Sequence, residues 1–489
     1  MSGREFDNPV LASAALSAAT ECGASYADIR ISHHFSESVR AREQTPLPRI
    51  DNRSAGLGVR VLAGGAWGFS STTALDPDSA ANCAREAVRI ARANARLLDA
   101  PVVLAPAPAA TGTWATPVER DPFEVALSEK LDLLLAVNAE AMRTPRVRYC
   151  QSVILAAREI KYFASSDGSA IDQNICRVWG SFGATAVSDD GSDFQTRRSL
   201  APPAGAGFEA VTAGDPIAEA RRAGEEAAAK LSAPPLVPGR RDLILMPSML
   251  WLVIHESIGH ATELDRVLGY EANYAGTSFV DIADIGCLRY GSPVVNVVGE
   301  RTRPRGLATV AYDDEGIAAT EFDIIENGLL TGLQTIREQA GRVGDPASHA
   351  CAYADSFSHV PMSRMPNISL LPGTSALSPA DLIAGVEDGL LIEGDGSWSI
   401  DQQRRNFQFG GQLGYLIKNG AIDTMTRDFA FQSSTLDFWN SCDAVAGPEY
   451  FELHGTYWCG KGQPPQVAPV SHGASPARFR GIDTINTAR

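Results

Sequence analysis

The sequence predicts an α+β protein: an N-terminal α/β-mixed domain with hairpins and helices over residues 1–235, then a C-terminal mainly β domain over residues 236–489 that carries one candidate metal-binding helix. Three observations predict it. Helical and strand periodicities alternate as far as about residue 231. A proline-rich passage, SAPPLVPGRRD, follows and has the composition of a domain boundary. Beyond it the apolar runs are short and separated by glycine and proline, with Asn327-Gly328 and Asn419-Gly420 as the strongest hairpin signals.

In chain order, the alanine-rich, cap-started stretch from Asn8 to Gly23 predicts a helix, and ADIRISHHFSESVRAREQ after it predicts a strand. His33 and His34 in that strand are expected to be surface or satisfied histidines. GLGVRVLAGGAWGFSSTT reads as a hairpin turning at Gly64-Gly65. Asp76 and Pro77 open a helix, because a side-chain acceptor followed by a fixed φ favours a first turn. Pro101 to Pro117 is expected to be an extended connection and Phe123 to Met142 a second helix. Tyr149 to Thr196 shows strands punctuated by SSDGS and SDDGSD, and Pro216 to Leu231 is a third helix. After the proline-rich passage, DLILMP reads as a buried strand and MLWLVIHESIGHATELD as an apolar helix with polar residues at its end. The remaining strands include VVNVVGER, DIIENGLLTGLQTI, NISLLPG, GLLIEGDG and FQFGGQLGYLIKNGAI.

Lys and Arg number 42 against 58 Asp and Glu, so the net charge of −16 repels nucleic acid and anionic lipid. The amino terminus, with Arg4, Glu5 and Asp7 ahead of a mildly apolar stretch, lacks the pattern of a signal peptide. No apolar run reaches membrane-spanning length. A cytoplasmic protein is expected. The 8 cysteines are scattered without a C-x-x-C pair, so neither a disulfide framework nor a cysteine-only zinc knuckle is indicated. P-loop, Rossmann glycine and G-x-S-x-G patterns are also missing, so nucleotide hydrolysis, dinucleotide binding and an α/β-hydrolase triad have no support.

Chemistry concentrates in His255-Glu256-Ser257-Ile258-Gly259-His260. In H-E-x-x-H, histidines at i and i+4 share a helical face and bind one zinc ion while the glutamate serves as general base. Here the spacing is i and i+5, which on a regular α-helix turns the rings about 140° apart. A π-type bulge would restore one face, and Gly259 would ease the backbone there. The alternative is two unrelated histidines at the end of a core helix. Cys459, in Tyr457-Trp458-Cys459-Gly460-Lys461-Gly462-Gln463, reads by itself as a half-buried cysteine in a glycine-bearing turn.

HESIGHATELD, the late WCGKGQ, YDDEG and IIENGLLTGLQ, with the early GLGVRVLAGGAWGFSST hairpin, together resemble the TldD branch of the TldD/PmbA metallopeptidases, also called modulators of DNA gyrase. The resemblance runs over essentially the whole chain, although one residue is missing between Lys461 and Gly462 relative to the family pattern. It implies Zn2+ held by His255, His260 and Cys459, with Glu256 as catalytic base. A catalytic zinc takes three protein ligands and keeps one open position, which a His2Cys set provides. Glu263 and His454 remain rival ligands, Glu263 being better suited to orient an imidazole; Asp265 could do the same or face solvent. Asp313-Asp314-Glu315-Gly316 reads as a solvated turn. Gly410-Gly411 marks a bulge or a close backbone approach, on a strand that could offer an edge to an extended peptide.

The function expected is zinc-dependent hydrolysis of peptide bonds in unfolded peptides or small flexible polypeptides. The rival is an assembly or binding subunit whose structural metal leaves catalysis to a partner. The resemblance also implies a homodimer or a heterodimer with a related, motif-free subunit. Direct action on gyrase or DNA is weakest, given the acidic charge.

Overall fold

The computed structural model describes residues 7–488; Arg4 and Glu5, used in reading the amino terminus, lie outside them. The first half is built on an eight-stranded sheet. Its strands are β1 (Tyr26–Arg42), β2 (Thr45–Pro46), β3 (Ile50–Ala63), β4 (Ala66–Thr72), β5 (Thr111–Ala115), β6 (Val147–Ser165), β7 (Ala170–Val187) and β8 (Phe194–Arg198). The order is β4-β3-β1-β6-β7-β5, with β2 paired to β1 and β8 to β7. Gly64 and Gly65 both have positive φ, as the predicted two-residue turn requires. The expected connection from Pro101 to Pro117 is only partly unpaired, because Thr111–Ala115 lies parallel to β7 and takes its ladder bonds.

Helices α1 (Asn8–Glu21), α2 (Pro77–Asn94), α3 (Leu127–Ala141), α4 (Glu209–Thr212) and α5 (Pro216–Ser232) accompany this sheet. Asp76 caps α2 through Ser79 N–H at 2.8 Å, whereas α3 begins four residues later than the sequence suggests. Strand alternation sorts the sheet into two faces. Ala27, Ile29 and Ile31 of β1 join the apolar cluster with α1 and α2, and Val39 and Ala41 join another with Leu134 of α3. The intervening side chains, Asp28 and Arg30 among them, are buried on the opposite face against the second half of the chain.

That half contains β9 (Gly239–Leu245), α6 (Pro247–Ile254), β10 (Val297–Glu300), β11 (Glu321–Glu326), β12 (Leu329–Leu330), β13 (Ala352–Tyr353), β14 (Met362–Ser363) and β15 (Asn367–Leu370). It continues through β16 (Asp388–Ile400), β17 (Asn406–Lys418), β18 (Ala421–Thr426), β19 (Phe429–Ser434), β20 (Cys442–Val445), β21 (Glu452–Lys461), β22 (Gln466–Ala474) and β23 (Ala477–Asn486). Strands β16-β9-β23-β19-β17 form a closed ring because β17 pairs back onto β16. The strand with Gly410-Gly411 is therefore not a free edge: β16 takes one side, and β19 and β18 share the other. The glycines serve close approach instead, since a Cβ on Gly411 would lie 2.2 Å from Ile392 Cγ2.

The acidic run also differs from expectation. Asp313, Asp314 and Glu315 are all buried: Arg60 Nη1 donates to Glu315 Oε1 at 3.1 Å and Lys161 Nζ to Asp314 Oδ2 at 3.1 Å, both from the first sheet, while Asp313 accepts from the backbone N–H groups of Glu315, Ile317 and Ala352. Among the described residues no helix is long and apolar enough to cross a membrane.

Candidate metal centre

Helix α6 is nearly all core. Met249, Leu250, Leu252, Val253 and Ile254 are buried, and each such side chain contributes about 1.5–3 kcal/mol. This anchors a polar continuation: His255–Gly259 forms a π turn in which His260 N–H bonds to His255 O. The π turn brings residues five apart onto one side, so the two imidazole centroids stand 4.6 Å apart. Carbonyls that the wider turn leaves are taken by side chains: Gly259 O accepts from Gln334 Nε2, and Ile258 O from Thr262 Oγ1 at 2.9 Å. Gly259 has ordinary helical φ and ψ of −52° and −60°. A Cβ there would meet Met365 Sδ at 2.5 Å, so any other residue would make that methionine side chain shift.

Hydrogen bonds fix which ring nitrogens keep lone pairs. Ile368 O can only accept, so His472 Nδ1 donates to it at 3.1 Å and His472 Nε2 is left as an acceptor. His255 Nδ1–H then donates to that nitrogen at 2.8 Å, which leaves His255 Nε2 unprotonated. His260 Nδ1–H donates to Glu263 Oε2 at 2.8 Å, leaving Nε2 free toward Cys459 Sγ at 3.7 Å. Burial pushes both His255 and His260 down to about 4, so both rings are neutral at pH 7. His255, His260 and Cys459 each turn one ligand atom into a group whose members lie within 4.8 Å of one another.

Cys459 comes from β21, which packs on α6 with its partner β22. Burial pushes its thiol up, and the Arg364 guanidinium works against that. Lys461, two residues on and on the same strand face, sends Nζ to Glu263 Oε1 at 2.9 Å and to Asp265 Oδ1 at 2.7 Å. Glu263 is held well below the carboxylate range: Lys461 and His260 overcome the effect of burial. Its oxygens are committed to Lys461, Arg266 and His260, so it orients an imidazole and is not aimed into the cluster. His454 pairs with Glu452 Oε2 at 3.0 Å, outside the cluster. Asp265 is buried on Lys461 and does not face solvent.

Glu256 lies between the histidines in sequence and is 7% exposed. Its Oε2 accepts from Arg404 Nη1, on the turn between β16 and β17. His472, Lys461, Arg364 and Arg404 were missed as site residues in the sequence. Only Lys461 carried a usable signal, its two-residue spacing from Cys459 on a strand.

Fold and donors together define an α+β protein with a buried two-imidazole, one-thiol centre on a π-bulged helix. Family models for PmbA/TldA metallopeptidases match three segments: domain 1 over residues 27–91, the central domain over 120–232 and the C-terminal domain over 238–484. The chain belongs to this PmbA/TldD metallopeptidase family. It is 29% identical over 460 residues to a metalloprotease of Methanothermobacter thermautotrophicus, covering 93% of this chain and 94% of that one. A zinc metalloprotease TldD homolog of Saccharolobus solfataricus is 28% identical over 214 residues, 42% of this chain and 44% of the relative. The fold matches the crystal structure of TldE from Thermococcus kodakarensis with a TM-score of 0.71 at 14% identity, covering 96% of this chain and 98% of the other.

Proposed function

We propose that this chain is a zinc-dependent metallopeptidase for unfolded peptides or small flexible polypeptides, with His255, His260 and Cys459 as ligands and Glu256 as general base. The observation that carries the reading is the convergence of two neutral imidazoles and a thiol within 4.8 Å, one residue from a carboxylate. The donor set fits zinc. Tetrahedral bonds of about 2.0–2.3 Å need donors roughly 3.5 Å apart, and Sγ of Cys459 stands 3.7 Å from Nε2 of His260. When bound, zinc supplies a Lewis acid that polarises the substrate carbonyl and makes water acidic near neutral pH.

The chain's own residues do the rest. Glu256 accepts the proton of the attacking water and returns it to the leaving amine. His472 and Glu263 hold the two ring tautomers that keep both Nε2 lone pairs available. His255, His260 and Cys459 are only 5%, 4% and 4% exposed, which favours a flexible chain as substrate over a folded one. Eight free cysteines suit a reducing compartment such as the cytoplasm. A homodimer or a heterodimer with a motif-free relative belongs to the same proposal.

The test incubates the purified protein and Glu256→Ala with an unfolded peptide mixture, reads products by mass spectrometry and measures zinc in both. Products from the unsubstituted protein alone, with zinc in both, are expected. Loss of zinc in Glu256→Ala would overturn the base assignment. Zinc in both but products from neither would favour the assembly-subunit reading.

A further inference from the structure

Arg404 occupies an unusual position for an arginine. It has φ of +64°, a region that costs a non-glycine residue energy and persists only when its surroundings enforce it. They do so here. Asp401 accepts from Arg405 N and Asn406 N, both at 2.9 Å, and Arg404 N bonds to Asp401 O at 3.0 Å. Gln402 O and Gln403 O accept from Thr277 N and Phe279 N at 3.0 and 2.8 Å, and Thr435 Oγ1 donates to Arg404 O at 2.6 Å. The turn is thus tied to two other segments, and the result is a guanidinium held on Oε2 of Glu256, with its side chain 14% exposed.

One protein carboxylate does not exhaust a guanidinium with five N–H donors. Nε of Arg404 is buried without a protein acceptor, as Nε is in several other arginines of this chain. A fixed cation paired with the base, with N–H donors to spare, matches a place where negative charge develops on a reacting oxygen.

We propose that Arg404 is a catalytic residue of the peptidase site: it fixes Oε2 of Glu256, leaving Oε1 to take the water proton, and donates to the oxygen of the scissile carbonyl as that oxygen becomes anionic. This rests on the peptidase reading above. The water oxygen bonds to the carbonyl carbon while the π pair moves onto the carbonyl oxygen, and the water proton passes to Glu256. The C–N bond then breaks as the pair returns, and the same proton goes to the amine nitrogen. Arg404 loses no proton in either step. It supplies a preorganised positive partner, and no water need reorganise to provide one.

The experiment compares the unsubstituted protein with Arg404→Met, which keeps the length of the side chain without its charge, and Arg404→Lys, which keeps the charge without the fork. Zinc content and thermal melting establish that each variant is folded and loaded. Calorimetry then measures binding of a peptide phosphinate, whose tetrahedral anionic centre imitates the reacting carbon, and of the matching uncleaved peptide with a reduced amide bond. The expected result is a loss of about 10²–10³-fold in phosphinate affinity for Arg404→Met, an intermediate loss for Arg404→Lys, and peptide affinity unchanged within about threefold. In turnover the same loss falls on kcat and not on KM, and added guanidinium ion restores part of it in Arg404→Met. Equal phosphinate affinity in all three proteins would overturn the role of Arg404 while leaving the peptidase reading intact, as would a loss shared by phosphinate and peptide. No phosphinate binding by the zinc-loaded unsubstituted protein would overturn the peptidase reading and this one with it.

Discussion

Two buried charged clusters in this molecule are built from the same kinds of residue and do different work. At the junction of its two halves, Arg60 spans Asp28 and Glu315, while Lys161 reaches Glu159 and Asp314. At the candidate metal centre, Lys461 spans Glu263 and Asp265, and Arg266 reinforces Glu263. Both have nearly dry cations on carboxylates. They differ in what is left over: the junction pairs charge with charge, whereas the centre ends in two imidazole lone pairs and a thiol that face one another. Burial and ion pairing alone therefore do not mark a functional site, because structural networks perturb their members as strongly. Convergent donors without protein partners do.

The sharpest way to break the comparison is to remove those donors. Alanine at His255, His260 or Cys459 would leave two of the three proposed ligands, and zinc measured after dialysis against a weak chelator is expected to fall from about one per chain to near none. A variant that keeps its zinc is evidence that its side chain is no ligand. Next in size, Glu256→Gln removes the proposed base and no proposed ligand, so kcat should fall by about 10²–10⁴ at unchanged zinc content. Unaltered turnover would exclude Glu256 as the base.

How far the sequence could see follows the same division. The i, i+5 histidine spacing and the turns at Gly64-Gly65, Asn327-Gly328 and Asn419-Gly420 are local chemistry, and each appears in the structure as a π turn or as paired positive-φ residues. The barrel was not legible, because its closure depends on β16 pairing both with β17 and, in parallel, with the distant β9. Asp314 and Glu315 read as a solvated turn because their cations lie 153 and 255 residues away. His472 stands 217 residues from His255, in a strand where nothing nearby marks it. Arg404 is hidden for a different reason: an arginine in a polar turn looks like surface until its backbone is seen to hold it inward.

The junction should fail by unfolding and not by losing metal. Arg60→Met strands Asp28 and Glu315, both 0% exposed at the side chain, and a buried pair broken on one side costs about 3–5 kcal/mol. Urea denaturation is expected to show that loss with zinc content unchanged in the folded fraction; a cost under about 1 kcal/mol would mean the junction is wetter than it looks. At the centre, His472→Phe keeps a ring beside Trp251, which now stacks on His472 at 6.5 Å, but leaves His255 Nδ1–H without an acceptor. Zinc affinity by chelator competition should fall about 10–100-fold, the usual effect of losing a group that orients a ligand. Unchanged affinity would mean that packing alone orients His255.

The smallest effect separates the clusters by pH. Glu159 is buried, and burial would raise it, but Lys161 and Arg177 outweigh that and hold it well below the carboxylate range. Its folded pKa is lower than its unfolded one, so the unfolded chain binds the proton first on acidification. The stability it contributes is complete above the unfolded value of about 4.3 and is lost as pH falls from there toward the depressed folded value. In Glu159→Gln no proton is taken up at this position, and the neutral amide leaves Arg177 and Lys161 less well matched. The variant should therefore be less stable than the parent at neutral pH, and the gap between their denaturation midpoints should narrow between about pH 5 and 3. If the two curves instead run parallel over that range, Glu159 titrates alike in folded and unfolded chains, and the junction holds the halves together by shape more than by charge.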